Sequence, residues 1–468
     1  MSNVMENGNN DIILNLSGSR RSSRSSSLRR GSISLSRAAS FQIDDDVESK
    51  SVSEAGDIGD RCLNSKRHSE SGSIRFSFDN ASEHGVVFPI SEDNLRSHDS
   101  AIFDTTSSPV SPLPEGTISP LSTDAIVSKD KKQDEETSMV LPPILDLISC
   151  LFYLSVFGIL GVLTRYLLQK LFGPSVAGVT SDHSILYLDL PSNMVGSFLM
   201  GWWGVVFKPD IARVSDHLAI GLTTGYLGSV TTFSGWNQKM LDLIVDGHWV
   251  FAAVGFLVGL FLAAYSIKYG IATAKSFKLL LENLNRNQTK PSSNWRVNSQ
   301  KRHGAAMLVL GLILAILWSL SGALLKEEFN SGSSGSELWL ACLVAAPGVW
   351  IRWFLARLNG QGLGKTGLLK WVPFGTLIAN VSAACIMAAL ATLKKAVDTK
   401  TCNTIATGIQ LGFLGCLSTV STFIAEYHAM EESIKPWRAS AYCLTTILVS
   451  FGLGILIYAV PVWTRGYH

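Results

Sequence analysis

Apolar and polar residues divide this chain into two unlike parts. Residues 1 to about 140 are polar and rich in Ser, Arg, Asp and Glu, whereas the rest is dominated by long apolar runs. A run of about 20 apolar residues can cross the bilayer core as one helix. Nine spans are predicted on this criterion, at 144–168, 186–207, 218–240, 248–268, 304–325, 338–358, 371–393, 405–430 and 439–461.

The polar N-terminal part, residues 1–140, is predicted to be a disordered cytosolic tail. It has too few large apolar side chains to offset the entropy lost on folding. Arg precedes Ser by two or three residues in "RRSSRSSSLRRGSISLSRAAS", and "SSPVSPLPEGTISP" carries Ser-Pro pairs. Both are typical phosphorylation contexts, which makes kinases candidate partners of the tail. A solvated tail with incidental sites is an equal alternative.

Basic loops orient the predicted spans. A basic loop separates the fourth and fifth spans, and further basic residues follow spans two, six and eight, at Lys208, Arg213, Arg357, Lys365, Lys370, Lys435 and Arg438. These loops share one side, which the positive-inside rule makes cytosolic. The N-terminus is therefore expected in the cytosol and, after nine crossings, the C-terminus outside. Lys394, Lys395 and Lys400 go against this trend.

The apolar part contains an internal repeat whose halves align without gaps. "GVLTRYLL" aligns with "GVWIRWFL", and the same shift aligns "GYLGSVTTFS" with "GFLGCLSTVS". Four spans form a first repeat at 141–270 and four form a second at 331–468, while 271–330 holds the basic loop and a linker span. Because a single linker span joins two repeats of four spans each, the second repeat is predicted to be inverted in the membrane. Ion sites are expected at the interface between the repeats.

The third span of each repeat is predicted to be broken. Clustered Gly, Ser and Thr interrupt a membrane helix where the protein satisfies the freed backbone groups. Carbonyls at such a break can hold a small cation, and Gly228 with Thr231 and Gly415 with Ser418 are placed to do so. The predicted fold is an all-α membrane protein with about nine transmembrane helices.

An Arg and an Asn recur at equivalent places inside the spans. Arg165 pairs with Arg352, and Asn193 pairs with Asn380. The arginines are candidates for an anion-attracting vestibule; alternatively, they snorkel to headgroups or cap a helix end. The asparagines are candidates for donating to an anion in a pore, with interhelical hydrogen bonding as a nearly even alternative.

The last span of the second repeat carries a polar stripe. Tyr442, Thr446 and Ser450 recur every four residues and so lie on one helix face. The equivalent positions of the first repeat are apolar or lack a side chain, being Gly255, Gly259 and Ala263. The stripe is a candidate ion-pathway lining, and ordinary Ser/Thr helix packing is the alternative.

Together these motifs resemble the CrcB/Fluc/FEX family of fluoride channels and exporters. "GVLTRY", "PSNMVGSF" and "GYLGSVTTFSGW", and their counterparts "GVWIRW", "TLIANVSA" and "GFLGCLSTVSTF", occur in the family's order over about 144–461. The resemblance implies a passive, selective fluoride conduit with a structural central Na⁺. The fused form resembles the eukaryotic, plant-type or fungal members, with both repeats in one chain and hence a monomer.

The resemblance also implies residue roles. Two pore phenylalanines per repeat are expected, but the positions hold Phe233 and Trp236 in the first repeat and Val420 and Phe423 in the second. Because each pore of the family uses one from each repeat, Phe233 with Phe423 would form an intact pair and Trp236 with Val420 a degenerate one. One conducting pore, containing the polar stripe, is therefore expected.

Other function classes find less support. A proton-coupled anion antiporter would need a titratable group deep in a span, yet Asp146, Glu426 and His428 are placed near span ends. A membrane scaffold with a phosphorylated tail is a second alternative. No P-loop or nucleophile–base motif indicates an enzyme, the seven cysteines have no metal-ligand spacing, and no nucleic-acid partner is expected. The plasma membrane is the expected location, because toxic fluoride must leave the cell.

Overall fold

The computed structural model describes residues 142–182, 184–285, 300–329, 334–363 and 369–466. The predicted tail, its phosphorylation contexts and residues 286–299 of the basic loop before the linker span lie outside these residues. The first part of that predicted loop is instead helical, because the helix that begins at Trp249 continues to Asn285. Helices occupy nearly all of the described ranges, which contain no β-strand. The predicted all-α class is confirmed.

The first repeat and the linker contain α1 to α8, whose bounds are Pro143–Phe172, Leu190–Leu199, Lys208–Val214, Asp216–Ile220, Gly228–Val230, Phe233–Val245, Trp249–Asn285 and Gln300–Glu328. The second repeat contains α9 to α15, at Ser334–Leu355, Phe374–Val397, Lys400–Ile409, Gly415–Leu417, Ser421–Glu431, Trp437–Gly454 and Val460–Arg465. Turns of π-helix join several of these pieces, at Met200–Val206, Gly221–Leu227, Gln410–Leu414 and Ile455–Ala459, and Ala356–Leu358 is a 3₁₀ turn.

Every predicted span coincides with helical structure. Among the described residues, seven helical stretches are long and apolar enough to cross a membrane, and one of them is the whole broken segment from Lys400 to Glu431. The predicted spans at 186–207 and 218–240 are instead divided into shorter pieces by π-helical turns and a break. A multi-pass membrane protein is thus shown, while the number of nine crossings stays a prediction.

Both predicted helix breaks are present. In the first repeat, Thr231 and Thr232 are extended between α5 and α6, with φ of −98° and −142°. In the second repeat, Ser418 is extended after α12, with φ of −85°. The Thr232 hydroxyl caps α6 by accepting a hydrogen bond from the Gly235 N–H at 3.3 Å. The Gly/Ser/Thr pattern therefore predicted the position of each break.

The two repeats pack against each other with reciprocal contacts. The short helices α5 and α12 lie against each other, and α1 packs on α9. One large apolar core is shared by both repeats and includes Phe233, Trp236, Phe423 and Tyr442. This mutual burial is the arrangement expected of two repeats related by a pseudo-twofold axis.

Candidate functional site

The two helix breaks meet across the repeat interface through hydroxyl groups. Thr231 Oγ1 donates to Ser421 Oγ at 3.1 Å. The equivalent pair, Ser418 and Ser234, has its hydroxyl oxygens 2.9 Å apart. All four side chains are completely buried. Because each contact has its counterpart in the other repeat, the alignment read from the sequence describes the three-dimensional symmetry as well.

Each repeated Asn braces the break of its own repeat. Asn193 Oδ1 accepts from the Thr232 N–H at 2.9 Å, and Asn380 Oδ1 accepts from the Thr419 N–H at 2.8 Å. The amide groups donate back to the carbonyls of the same residues, at 3.3 and 3.1 Å. In the structure these side chains therefore satisfy freed backbone groups, which corresponds to the alternative of structural hydrogen bonding.

The two asparagines differ in one contact. Asn193 Nδ2 also donates to the Tyr187 hydroxyl at 3.1 Å, which occupies its second N–H. For Asn380, the Nδ2 contact among the described residues is the Thr419 carbonyl. Of the two side chains, Asn380 is therefore the one that keeps an amide N–H for a ligand.

Each repeated Arg reaches across to the break of the other repeat. Arg165 donates from Nη1 to the Gly415 carbonyl at 2.9 Å and from Nη2 to the Leu411 carbonyl. Arg352 Nη2 donates to the Thr224 carbonyl at 2.7 Å, the position equivalent to Leu411. Both guanidinium groups are buried, so the capping alternative describes them better than the snorkelling one.

The guanidinium groups pass directly over glycine in both repeats. A Cβ placed on Gly228 would collide with the Arg352 guanidinium, and one on Gly415 would collide with that of Arg165. The glycine and arginine that recur at the same spacing in both repeats therefore meet across the repeat interface. The arginine of one repeat packs on the bare backbone of the other.

A cavity of about 580 Å³ opens beside Arg165. Its wall carries charges of both signs, from Arg165, Lys170, Lys239, Asp182, Asp189, Asp242 and Glu337. A purely cationic vestibule, as expected from the sequence, would attract anions by its net charge. The wall of this cavity carries both signs of charge, so its net charge does not attract anions. Any attraction of anions has to come from its individual Arg and Lys side chains.

The two phenylalanines expected to form an intact pair are in contact. The Phe233 and Phe423 rings lie 5.8 Å apart between centroids with planes at 61°, an edge-to-face contact. Phe423 also packs on Tyr442 at 5.2 Å. The positive edge of an aromatic ring can face an anion without binding it tightly. Because Phe423 contacts Tyr442, the pair lies directly beside the predicted polar stripe.

The polar stripe faces inward along its whole length. Tyr442, Thr446 and Ser450 are all buried. Thr446 Oγ1 donates to the Tyr442 carbonyl at 2.8 Å, whereas Ser450 Oγ has no hydrogen-bond partner among the described residues. A buried hydroxyl without a partner costs free energy unless a ligand or water supplies one. Ser450 can therefore donate a hydrogen bond to a small ligand.

Side chains fill the equivalent space in the first repeat. The Trp236 indole lies over Gly259, where an added Cβ would come 2.7 Å from Trp236 Cε2. Met240 fills the space over Gly255 in the same way. Gly259 and Gly255 are the counterparts of Thr446 and Tyr442. Large apolar groups therefore replace the polar stripe here, and both Trp236 and Val420 are completely buried.

The positions predicted to hold a cation lie close together at the interface. Gly228, Thr231, Gly415 and Ser418 bound α5 and α12, which pack on each other. Oxygen donors of this kind suit a hard cation. A carbonyl has two lone pairs, so the Gly415 oxygen could accept from Arg165 and still contact a cation. Backbone oxygens from these positions are of the type that Na⁺ prefers, and the positively charged Arg165 guanidinium lies beside one of them.

A buried acidic network was missed by the sequence reasoning, which placed Glu426 near a span end. Glu426 is fully buried. Its Oε2 accepts from the Tyr442 hydroxyl at 2.7 Å, and its Oε1 accepts from Thr376 Oγ1 at 2.6 Å and Asn359 Nδ2 at 3.3 Å. One feature of the sequence could have revealed this network. Glu426 follows Phe423 by three residues, about one helical turn, so the two side chains lie on the same face of the helix.

Comparisons with known proteins also divide the chain into two repeats. The family model described as "CrcB-like protein, Camphor Resistance (CrcB)" matches twice, at 152–271 and 339–458. The two matches are related by the same shift as Arg165 and Arg352, and together they make up half of the chain. No solved structure matches the chain.

Curated relatives match a single repeat. The chain is 36% identical over 122 residues to the "Fluoride-specific ion channel FluC" of Geobacter metallireducens, covering 26% of this chain and 94% of the relative. The protein of that name from Geotalea uraniireducens is 34% identical over 128 residues, covering 26% and 95%. With the two family matches, these relatives show that the chain belongs to the CrcB-like family, in a fused two-repeat form.

Proposed function

We propose that this protein is a fluoride-selective channel that exports fluoride passively. The relatives named as fluoride-specific channels support the choice of ion. The edge-to-face pair of Phe233 and Phe423 beside a buried stripe with an unpaired Ser450 hydroxyl supports the pathway. That hydroxyl is the single observation with most weight, since it offers a small anion a donor inside the packed helix bundle.

Fluoride would move through this pathway in contact with neutral groups. Aromatic edges and hydroxyl donors stabilise a dehydrated anion without the tight hold of a positive charge, which would slow its release. The driving force is the membrane potential, about 2.3 kcal/mol per charge per 100 mV. An inside-negative potential therefore drives fluoride outward with no second substrate, and the plasma membrane is the location that makes such export useful.

One pathway conducts in this proposal, and the other is a structural remnant. The second would contain Trp236, Val420 and the positions of Gly255 and Gly259. The indole of Trp236 and the thioether of Met240 fill those positions. A pathway without hydroxyl donors and filled by a Trp side chain offers fluoride neither room nor hydrogen bonds.

The proton-coupled antiporter is less favoured, although Glu426 gives it a buried carboxyl. Three hydrogen bonds from Thr376, Asn359 and Tyr442 hold that carboxyl within a fixed network. The same network positions Tyr442 against Phe423. We assign Glu426 to the support of the pathway rather than to proton exchange.

The test is fluoride efflux from liposomes that contain the full-length chain. A fluoride electrode records efflux of fluoride, and parallel vesicles report chloride, with and without valinomycin as a K⁺ shunt. Fast efflux of fluoride alone, dependent on the shunt, is expected for a selective and electrogenic channel. Efflux that ignores the shunt and follows a pH gradient would establish the antiporter instead.

A central Na⁺ is part of the proposal, held by the backbone carbonyls of Gly228, Thr231, Gly415 and Ser418. It would lock the two breaks together rather than move with fluoride. Purification and reconstitution with N-methylglucamine in place of Na⁺ is expected to lower the melting temperature and the efflux rate, and restored Na⁺ to recover both. Unchanged stability and efflux without Na⁺ would remove the ion from the proposal.

A further inference from the structure

A cluster of metal-ligating side chains lies away from the proposed pathway, at the start of α1. Asp146 and Cys150 are four residues apart on one face of α1, and His217 belongs to α4. One ligand atom from each of the three lies within 4.8 Å of the other two. Cys150 is fully buried, and the side chains of His217 and Asp146 are only 10% and 13% exposed.

A second histidine completes the surroundings of this cluster. His303 of the linker helix α8 is buried, and its ring lies 5.3 Å from that of His217 between centroids. Its Nε2 is 3.0 Å from Ser149 Oγ. Three elements that are distant in sequence thus bring a thiol, a carboxyl and an imidazole together, with a second imidazole beside the first.

An ion pair alone does not satisfy these groups. His217 Nε2 lies 2.9 Å from Asp146 Oδ1, yet Asp146 Oδ2 is buried and has no hydrogen-bond partner among the described residues. A buried carboxylate oxygen without a partner is costly. A cation bound between the carboxyl and the thiol would supply that partner.

The donor set selects the metal. Nitrogen, sulfur and oxygen donors together suit Zn²⁺, which binds four ligands in a tetrahedron at about 2.0–2.3 Å. Tetrahedral donors at such distances lie about 3–4 Å from one another. Among Asp146, Cys150 and His217, the present spacing of up to 4.8 Å therefore needs a contraction of about an ångström, which side-chain rotation can provide. His303 lies outside this group of three and would in addition have to turn from Ser149 toward the metal. Mg²⁺ and Ca²⁺ prefer oxygen donors and suit the cluster poorly.

The cluster has no counterpart in the second repeat. The repeat alignment places Asp146, Cys150 and His217 on Ser333, Glu337 and Thr404. A Ser/Glu/Thr set lacks both the thiol and the imidazole. The cluster is therefore separate from the duplicated machinery of the helix breaks, and a role in that machinery does not explain it.

We propose that Asp146, Cys150, His217 and His303 form a structural zinc site. The metal would tie the start of α1 and the linker helix α8 to α4, which leads through the π-helix Gly221–Leu227 and α5 into the first break. The His303 imidazole would give up its hydrogen bond with Ser149 and bind the metal instead. Binding would displace the thiol proton of Cys150, because the thiolate is the ligand. The site is independent of the fluoride proposal and would stand if that proposal failed.

Cobalt substitution in the full-length protein tests the site directly. The purified chain, stripped with a chelator, is titrated with Co²⁺ while its absorption spectrum is recorded. A near-ultraviolet sulfur-to-cobalt band and intense visible bands of tetrahedral cobalt are expected, and Zn²⁺ should erase both. Cys150→Ser should remove the sulfur band, and Asp146→Asn and His303→Ala should each weaken the visible bands.

Matched controls separate this site from other cysteines and histidines. Cys402→Ser and His248→Ala change the same residue types elsewhere in the described part of the chain and should leave the spectrum unchanged. Cys150→Ser also keeps the contact of His217 with Asp146, so its fold is expected to survive, and size-exclusion elution checks this. Zn²⁺ should raise the melting temperature of the parent protein and of both controls, but not that of Cys150→Ser.

Two results would overturn the proposal. One is the absence of tetrahedral cobalt bands in the parent protein at micromolar Co²⁺. The other is a sulfur band that persists in Cys150→Ser, which would assign the metal to a different thiol. Either result would leave the four residues as a hydrogen-bonded cluster that holds the start of α1 against α4 and α8.

Discussion

At the scale of single residues, the two repeats differ most at the aromatic and stripe positions. Phe423 meets Phe233 and Tyr442, whereas its counterpart Trp236 fills the space above Gly259. In our proposal, the same backbone position thus contributes to an ion pathway in one repeat and to a packed core in the other. This aromatic position and the stripe positions together distinguish the two pathways of the proposal.

Ser450→Ala is expected to slow fluoride efflux by roughly ten- to hundredfold, because a hydrogen bond to a charged group contributes about 1.5–3 kcal/mol. The measurement is shunted efflux from liposomes. Ala263→Ser, which places a hydroxyl at the counterpart position, is the matched control and should not accelerate efflux. Equal efflux from Ser450→Ala and the parent protein would remove Ser450 from the pathway.

Phe233→Ile should abolish fluoride tolerance in a sensitive host, because it removes one ring of the intact pair. Val420→Phe alters the remnant pathway and should leave tolerance unchanged once protein amounts are matched by immunoblot. Growth at graded fluoride concentrations measures both. Equal loss of tolerance in the two variants would show that both pathways matter.

At the scale of elements, the broken helices depend on groups supplied from elsewhere. Each Asn satisfies the backbone of its own break, and each Arg satisfies carbonyls of the other repeat. A break inside a membrane is tolerated only with such partners. The breaks and these four residues were predictable from sequence, but their partners were not, since a repeat alignment carries no information about contacts between distant segments.

Asn193→Ala should destabilise the protein by about 1–3 kcal/mol, because it leaves the Thr232 N–H and carbonyl buried without a partner. A lower melting temperature in detergent is the expected observation. Asn193→Asp keeps the acceptor for the Thr232 N–H and should recover part of the loss. If Asn193→Ala instead lowers efflux at full stability, the amide has a pore role and not a bracing one.

Gly415→Ala should disturb the interface by displacing the buried guanidinium of Arg165. The expected results are a lower melting temperature and slow efflux. Gly452→Ala is the control, because a Cβ at Gly452 meets nothing within 4 Å. A Gly415→Ala variant as stable and active as the control would mean that Arg165 has room to move.

At the scale of the whole molecule, sequence reasoning succeeded where the information was periodic or duplicated. The helical class, the breaks, the repeat alignment and the meeting of Phe233 with Phe423 were all predictable. It failed where long-range contacts decide the outcome: Glu426 is fully buried, and Cys150 lies beside His217 although no spacing suggested it. The cavity beside Arg165 likewise has a mixed charge that only the assembled fold reveals.

The most direct measurement exchanges the two side chains at equivalent positions and records shunted fluoride efflux from liposomes. Phe423→Trp gives the second repeat the side chain of the first, and Trp236→Phe does the reverse. If one pathway conducts, Phe423→Trp should abolish efflux and Trp236→Phe should preserve it. Efflux that survives Phe423→Trp, or that is lost equally in both variants, would contradict conduction through the pathway of Phe233, Phe423 and Ser450.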